Sequence, residues 1–150
     1  MRKTAVYGTA MVVLATAANL MHAISHVGQE VLSLAAWQLA YVIAVIFLAP
    51  VIAVVLLWTP LRLVGAWLLF GAMTGSFVFD LAYHFLIPGP DNVFTLEPGA
   101  WLIPFRVSAA LLVATSGLGA LVGGWAVRGL SNVPAETPPG SPVGIEKGKS

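Results

Sequence analysis

The sequence predicts an all-helical integral membrane protein, a bundle of four transmembrane helices. Three observations predict it. Hydrophobic residues make up 59% of the 150 and charged residues only 9%, against roughly 25% charged in a soluble domain. Four apolar stretches each exceed the ~20 residues that cross a ~30 Å hydrocarbon core. Residues that break helices separate the second stretch from the third and the third from the fourth. Lipid offers no partner to open backbone groups, so stretches of this kind are helices.

The spans are expected at about 5–34, 36–58, 61–87 and 101–127, within one transmembrane domain over residues 1–130. Thr59-Pro60 separates the second from the third. The run PGPDN, residues 88–92, ends the third, and Glu97-Pro98-Gly99 leads into the fourth. Pro50 falls inside the second span and predicts a kink there. From residue 131 the composition changes to SNVPAETPPGSPVGIEKGKS, rich in Pro, Gly, Ser and charge. That composition predicts a disordered cytoplasmic tail.

Positive charge sets the expected orientation. Arg2 and Lys3 precede span one, Arg62 lies after span two, and Arg128, Lys147 and Lys149 follow span four. The turn near Leu34 and the loop 88–100 contain no Lys or Arg. Both termini are therefore expected in the cytoplasm, in a plasma-membrane protein. Tyr7, Trp58 and Trp125 fall near the expected inner boundary, and Trp37 and Trp101 near the outer one. Arg2-Lys3, the apolar run and Ala15-Thr16-Ala17 also resemble a cleaved signal peptide. The apolar pattern continues past Ala17, and the charge bias over four spans requires span one to be kept.

Net charge is +1 with no basic run, so nucleic acid is not an expected partner. The expected partners are the lipid bilayer and either further copies of the chain or a larger membrane complex. Cysteine is absent, which removes disulfides, thiolate ligands and thiol nucleophiles. Ser25, Ser76, Ser108 and Ser116 are scattered and form no nucleophile motif. Gly71-x-x-x-Gly75 and Gly119-x-x-x-Gly123 are small-residue patterns that allow close helix packing.

The functional signal is the stretch NLMHAISHVGQE, residues 19–30. Steps of four residues turn a helix by only about 40° and climb about 6 Å. His22, His26 and Glu30 are therefore expected on one narrow face, with Asn19 close to it. Span three carries a matching pair, Asp80 and His84, also four apart. Both pieces fall in the expected outer half, as do Arg106 in span four and Gln38 and Tyr41 in span two. All three histidines of the chain lie in this layer. Ionisable groups inside a membrane are costly and by default mark a functional site.

Three functions fit such a layer. The first is a transition-metal site of His22, His26, His84 and Asp80, with Glu30 as a peripheral ligand. Imidazoles with carboxylates suit Zn, Fe, Mn or Cu(II), and an open position would support metal-assisted hydrolysis or oxidation. Glu30 is then a candidate base, and Arg106 a candidate for balancing charge or holding an anionic substrate. The second is haem b held by His26 and His84. The third is a metal-free polar network acting as a proton-responsive sensor or as part of an accessory subunit. The first is the preferred reading. It depends on the polar faces of spans one and three meeting.

Overall fold

The computed structural model describes residues 2–31 and 34–132. Every regular element among them is helical. Four helices are long and apolar enough to cross a membrane: α1 (Arg2–Gly28), α2 (Ala36–Leu57), α3 (Arg62–Leu86) and α4 (Leu102–Ser131). Large apolar side chains such as Val13, Ile24, Val55 and Leu121 point outward around the bundle. In water such a surface would be unstable, and in a bilayer it is matched to its solvent.

Helix ends depart from the sequence boundaries in two places. The first helix stops at Gly28, not near Leu34. The fourth runs on through Ser131, so the expected tail starts in helix, and residues 133–150 lie outside the described part.

Two helices contain π-helical segments, and each sits next to a proline. In α2 the segment is Val42–Leu48, and the Ala49 N–H bonds to the carbonyl of Ala44, five residues back. Pro50 follows at once. It has no N–H to donate, and its ring crowds the carbonyl four residues earlier. Widening the turn relieves that crowding, so the expected kink takes the form of a π segment. In α3 the segment is Ala82–Leu86, closed by the Ile87 N–H on the carbonyl of Ala82 at 2.7 Å. Pro88 holds Ile87 extended at φ −90°, ψ 122° and ends the helix.

The helices form a ring in which α4 packs on α1 and α3, and α2 packs on α3 and more thinly on α1. Helices α1 and α3 thus stand diagonally across the bundle. The α3–α4 contact is close because Gly123 carries no side chain. A Cβ there would fall 2.7 Å from the Cα of Phe70. Gly119 likewise gives its space to the Met73 side chain. Gly71 faces nothing within 4 Å, so only part of the small-residue pattern is used in packing within the chain.

The interior is divided along its length. Toward the termini the core is apolar and built of small residues: Ala5, Val12, Ala15, Ala53, Ala66, Leu69, Met73 and Ala126. There Trp58 Nε1 donates to Thr9 Oγ1 at 3.1 Å, and Tyr7 meets Trp125 edge to face. Toward the opposite end the interior holds His22, Ser25, Asp80, His84, Asp91 and Ser108, all buried.

Candidate metal centre

Helix α1 delivers His22 and His26, and the π segment of α3 delivers His84. Although α1 and α3 are diagonal, these side chains reach the bundle axis and meet. The His22 ring lies 4.5 Å from those of both His26 and His84, centroid to centroid. One ring nitrogen from each of the three lies within 4.8 Å of the others. Phe105 of α4, fully buried, backs all three rings at 4.7, 4.8 and 6.1 Å.

The Nδ1 atom of each histidine already has an oxygen partner. His26 Nδ1 is 2.7 Å from the carbonyl of Val31, and His84 Nδ1 is 3.1 Å from the carbonyl of Asp91. A carbonyl only accepts, so in both rings Nδ1 carries the proton and Nε2 keeps a lone pair. His22 Nδ1 is 2.9 Å from Ser108 Oγ. Ser108 Oγ also lies 2.9 Å from the Phe105 carbonyl and 3.5 Å from Ser25 Oγ, and with its proton on that carbonyl its oxygen can receive the His22 N–H. The Nε2 atoms of His26 and His84 are thereby left as lone-pair donors, and that of His22 is one too in the tautomer with its proton on Nδ1. The Nε2 of His22 is fully buried and has no hydrogen-bond partner among the described residues.

Local backbone chemistry supplies the acceptor for His26. Helix α1 ends in a Schellman turn: the Val31 N–H bonds to the His26 carbonyl at 3.0 Å, and the Glu30 N–H to that of Val27 at 3.2 Å. Glu30 occupies the left-handed position of this turn with φ 59°. The turn carries the Val31 carbonyl back over His26. Trp101 covers the same end, its indole lying where a Cβ of residue 28 would be.

The same turn explains why Glu30 does not join the histidines. Helical phase is lost after Gly28, and the Glu30 side chain is exposed. Asp80 is buried at 2% exposure but does not complete the close group. It accepts from Ser116 Oγ at 3.3 Å and lines the neighbouring cavity, as does Asn19. Arg106 makes no carboxylate contact among the described residues. It is exposed, and its Nε donates to the Val93 carbonyl at 2.9 Å, pinning the 88–101 loop. Gln38 closes the start of α2 by accepting from the Ala35 N–H at 2.8 Å.

That loop holds the residue that sequence reasoning read only as a turn former. Asp91 is folded inward and buried, with Oδ1 3.8 Å from His26 Nδ1 and without a hydrogen-bond partner among the described residues. The Val93 N–H bonds to the His84 carbonyl at 3.0 Å, and Asn92 Nδ2 to the carbonyl of Ile87 at 3.0 Å, folding the loop over the cluster. Its sequence signal was slight: an Asp-Asn pair a few residues beyond a histidine. Ser108, on α4, which packs on both α1 and α3, carried no motif at all.

Beside the cluster lies a cavity of about 450 Å³. The histidines and Asp80 form its polar end, and Val27, Val42, Ile46, Phe47 and Phe79 are among its apolar walls. No protein-family model matches the chain, and comparisons with curated proteins and with solved structures found no match. The geometry of the cluster therefore carries the functional argument.

Proposed function

We propose that this is an integral membrane protein that holds one divalent transition-metal ion, zinc first among the candidates, between His22, His26 and His84 in the outer half of its bundle. One observation carries the reading: three imidazoles meet with a ring nitrogen of each within 4.8 Å of the others, while every Nδ1 also has an oxygen partner. Metal-ligating histidines bind through one nitrogen while the other donates to a carbonyl or another oxygen group. Any buried imidazole N–H needs an acceptor, but packing alone does not explain a buried His22 Nε2 left without a partner beside two further imidazoles.

The dimensions support it. A Zn–N bond of ~2.1 Å in tetrahedral geometry sets nitrogens roughly 3.4 Å apart. The three rings would have to draw in by little more than an ångström. Three imidazoles leave the fourth position of a zinc ion to water or a substrate oxygen, the pattern of catalytic centres and not of closed structural ones. Asp91, with Oδ1 3.8 Å from His26 Nδ1, stands where a carboxylate would offset the charge of the ion. A haem between His26 and His84 is disfavoured because His22 occupies the space, 4.5 Å from each ring. Placement in the outer half rests on the charges: Arg2, Lys3, Arg62 and Arg128 gather at the end away from the cluster.

Elemental analysis tests the proposal on protein purified in detergent without chelator or histidine tag. About one equivalent of metal is expected in the wild type, lost in His84→Ala and in His22→Ala. Full occupancy in both variants, or a wild type that stays metal-free after zinc, iron, manganese and copper are added back, overturns it.

A further inference from the structure

The cavity has a polar end and an apolar body, and the path by which it is reached follows from the packing of α2. Helix α1 touches α2 through Ala49–Leu57 and leans away from residues 36–48. The π segment Val42–Leu48 lies in the half that leans away. The divergence leaves a slot between the two helices, and the cavity lies in it. At its mouth stand Ala23 of α1 and Leu39 of α2, both exposed on the apolar outer surface. At its depth stand Ile46 and Leu112, 8% and 2% exposed. The loop 88–101 folds over the cluster at the end of the bundle, and the exposed wall residues Ala23, Val27 and Leu39 place an opening on the side, between α1 and α2. A volume of about 450 Å³ falls within the range of small-molecule sites, roughly 300–1,000 Å³.

An occupant of this space must be apolar along its length, must carry oxygen at one end, and must arrive from the apolar surface. We propose that the cavity takes a single long acyl chain of a lipid, entering sideways between α1 and α2, with its carboxyl or ester oxygen at the histidine cluster. The seating of the chain rests on the cavity alone. Contact of the oxygen with an ion rests also on the metal reading above. The apolar walls recognise methylene groups without preference for sequence or charge. The polar end selects an oxygen-bearing head, because an alkane would leave His22 Nε2 and Asp80 facing hydrocarbon.

The test uses the full chain in lipid nanodiscs with a fatty acid carrying a diazirine near the end of its chain. Lipid that merely surrounds the bundle labels outward residues such as Val13 and Leu121, which are 61% and 71% exposed. A chain inside the cavity with its head at the histidines labels Ile46. The expected result is labelling there after photolysis and peptide mapping. It should fall at least tenfold in Ala23→Trp and Leu39→Trp, which plug the mouth from exposed positions, with metal content unchanged. Val13→Trp, elsewhere on the surface, should leave it as in the wild type. Labelling confined to outward residues, or undiminished in both mouth variants, overturns the proposal. The two readings fail separately. A metal-bearing protein without interior labelling refutes the lipid site alone. A metal-free protein with interior labelling that the mouth variants abolish refutes the ion alone.

Discussion

Replacing Ser108 by alanine isolates the orienting contact from the ligands themselves. Ser108 is fully buried, its Oγ 2.9 Å from His22 Nδ1, and it touches no atom that would meet an ion directly. Alanine removes the acceptor and leaves the His22 N–H without a partner. Two effects follow, and they can be measured apart. The metal-free protein loses about 1–3 kcal/mol, the cost of a buried donor left unsatisfied. The imidazole also loses what fixes its proton on Nδ1, and affinity for the ion falls about 10–100-fold, or about 1.4–2.7 kcal/mol. At free zinc equal to a hundred times the wild-type Kd, binding stabilises the wild type by about 2.7 kcal/mol. A Kd weakened about thirtyfold lowers that gain to about 0.9 kcal/mol at the same zinc concentration. Competition with a chromophoric chelator gives the Kd, and melting with and without zinc gives the two stabilities. Equal zinc affinity in S108A and wild type would refute the tautomer argument. A variant destabilised equally with and without zinc would refute it too, and would return the cluster to packing.

Three further outcomes are expected. Glu30→Gly should retain full metal occupancy and raise stability by about 0.5–1 kcal/mol, because φ 59° strains a residue with a side chain and not glycine; loss of metal would restore Glu30 as a ligand. Gly123→Ala should cost about 1–3 kcal/mol in thermal unfolding, since its Cβ would meet the Phe70 backbone at 2.7 Å, whereas Gly71→Ala, with open space around it, should stay within about 0.5 kcal/mol of wild type; equal effects would refute the described α3–α4 contact. Protons compete with an ion for imidazole lone pairs, so acidification far enough to protonate the buried histidines should release the zinc; an ion still held with all three imidazoles protonated, as read by NMR, would exclude histidine ligation.

The four apolar spans, their breaks and the division into an apolar and a polar half were legible in the sequence. They depend on composition and on local helix geometry, which a single chain displays directly. The pairing of His22 with His26 was legible for the same reason. The meeting of α1 and α3 was not, because it depends on which helices become diagonal. Glu30 misled because a spacing of four carries meaning only while the helix lasts. The Schellman turn ends it at Gly28, and a glutamate in the left-handed position gives no sequence warning. Asp91 and Ser108 reach the cluster through tertiary folding, across a loop and from another helix. The π segments escaped as well, although Pro50 marked the place: the sequence shows a missing donor, not how the chain accommodates it.

The three anchors of the imidazoles differ in how they can be inherited. Those of His26 and His84 are main-chain carbonyls, at Val31 and Asp91. Every residue type supplies a carbonyl, so substitutions at 31 and 91 leave these contacts available while the backbone path holds. The anchor of His22 is a hydroxyl, which only a few residue types carry. Descendants of this chain that keep the site should therefore vary at 31 with little constraint, but should change 22 and 108 together or not at all. A histidine at 22 beside an alanine at 108 would mark a lineage in which the centre had already lost its use.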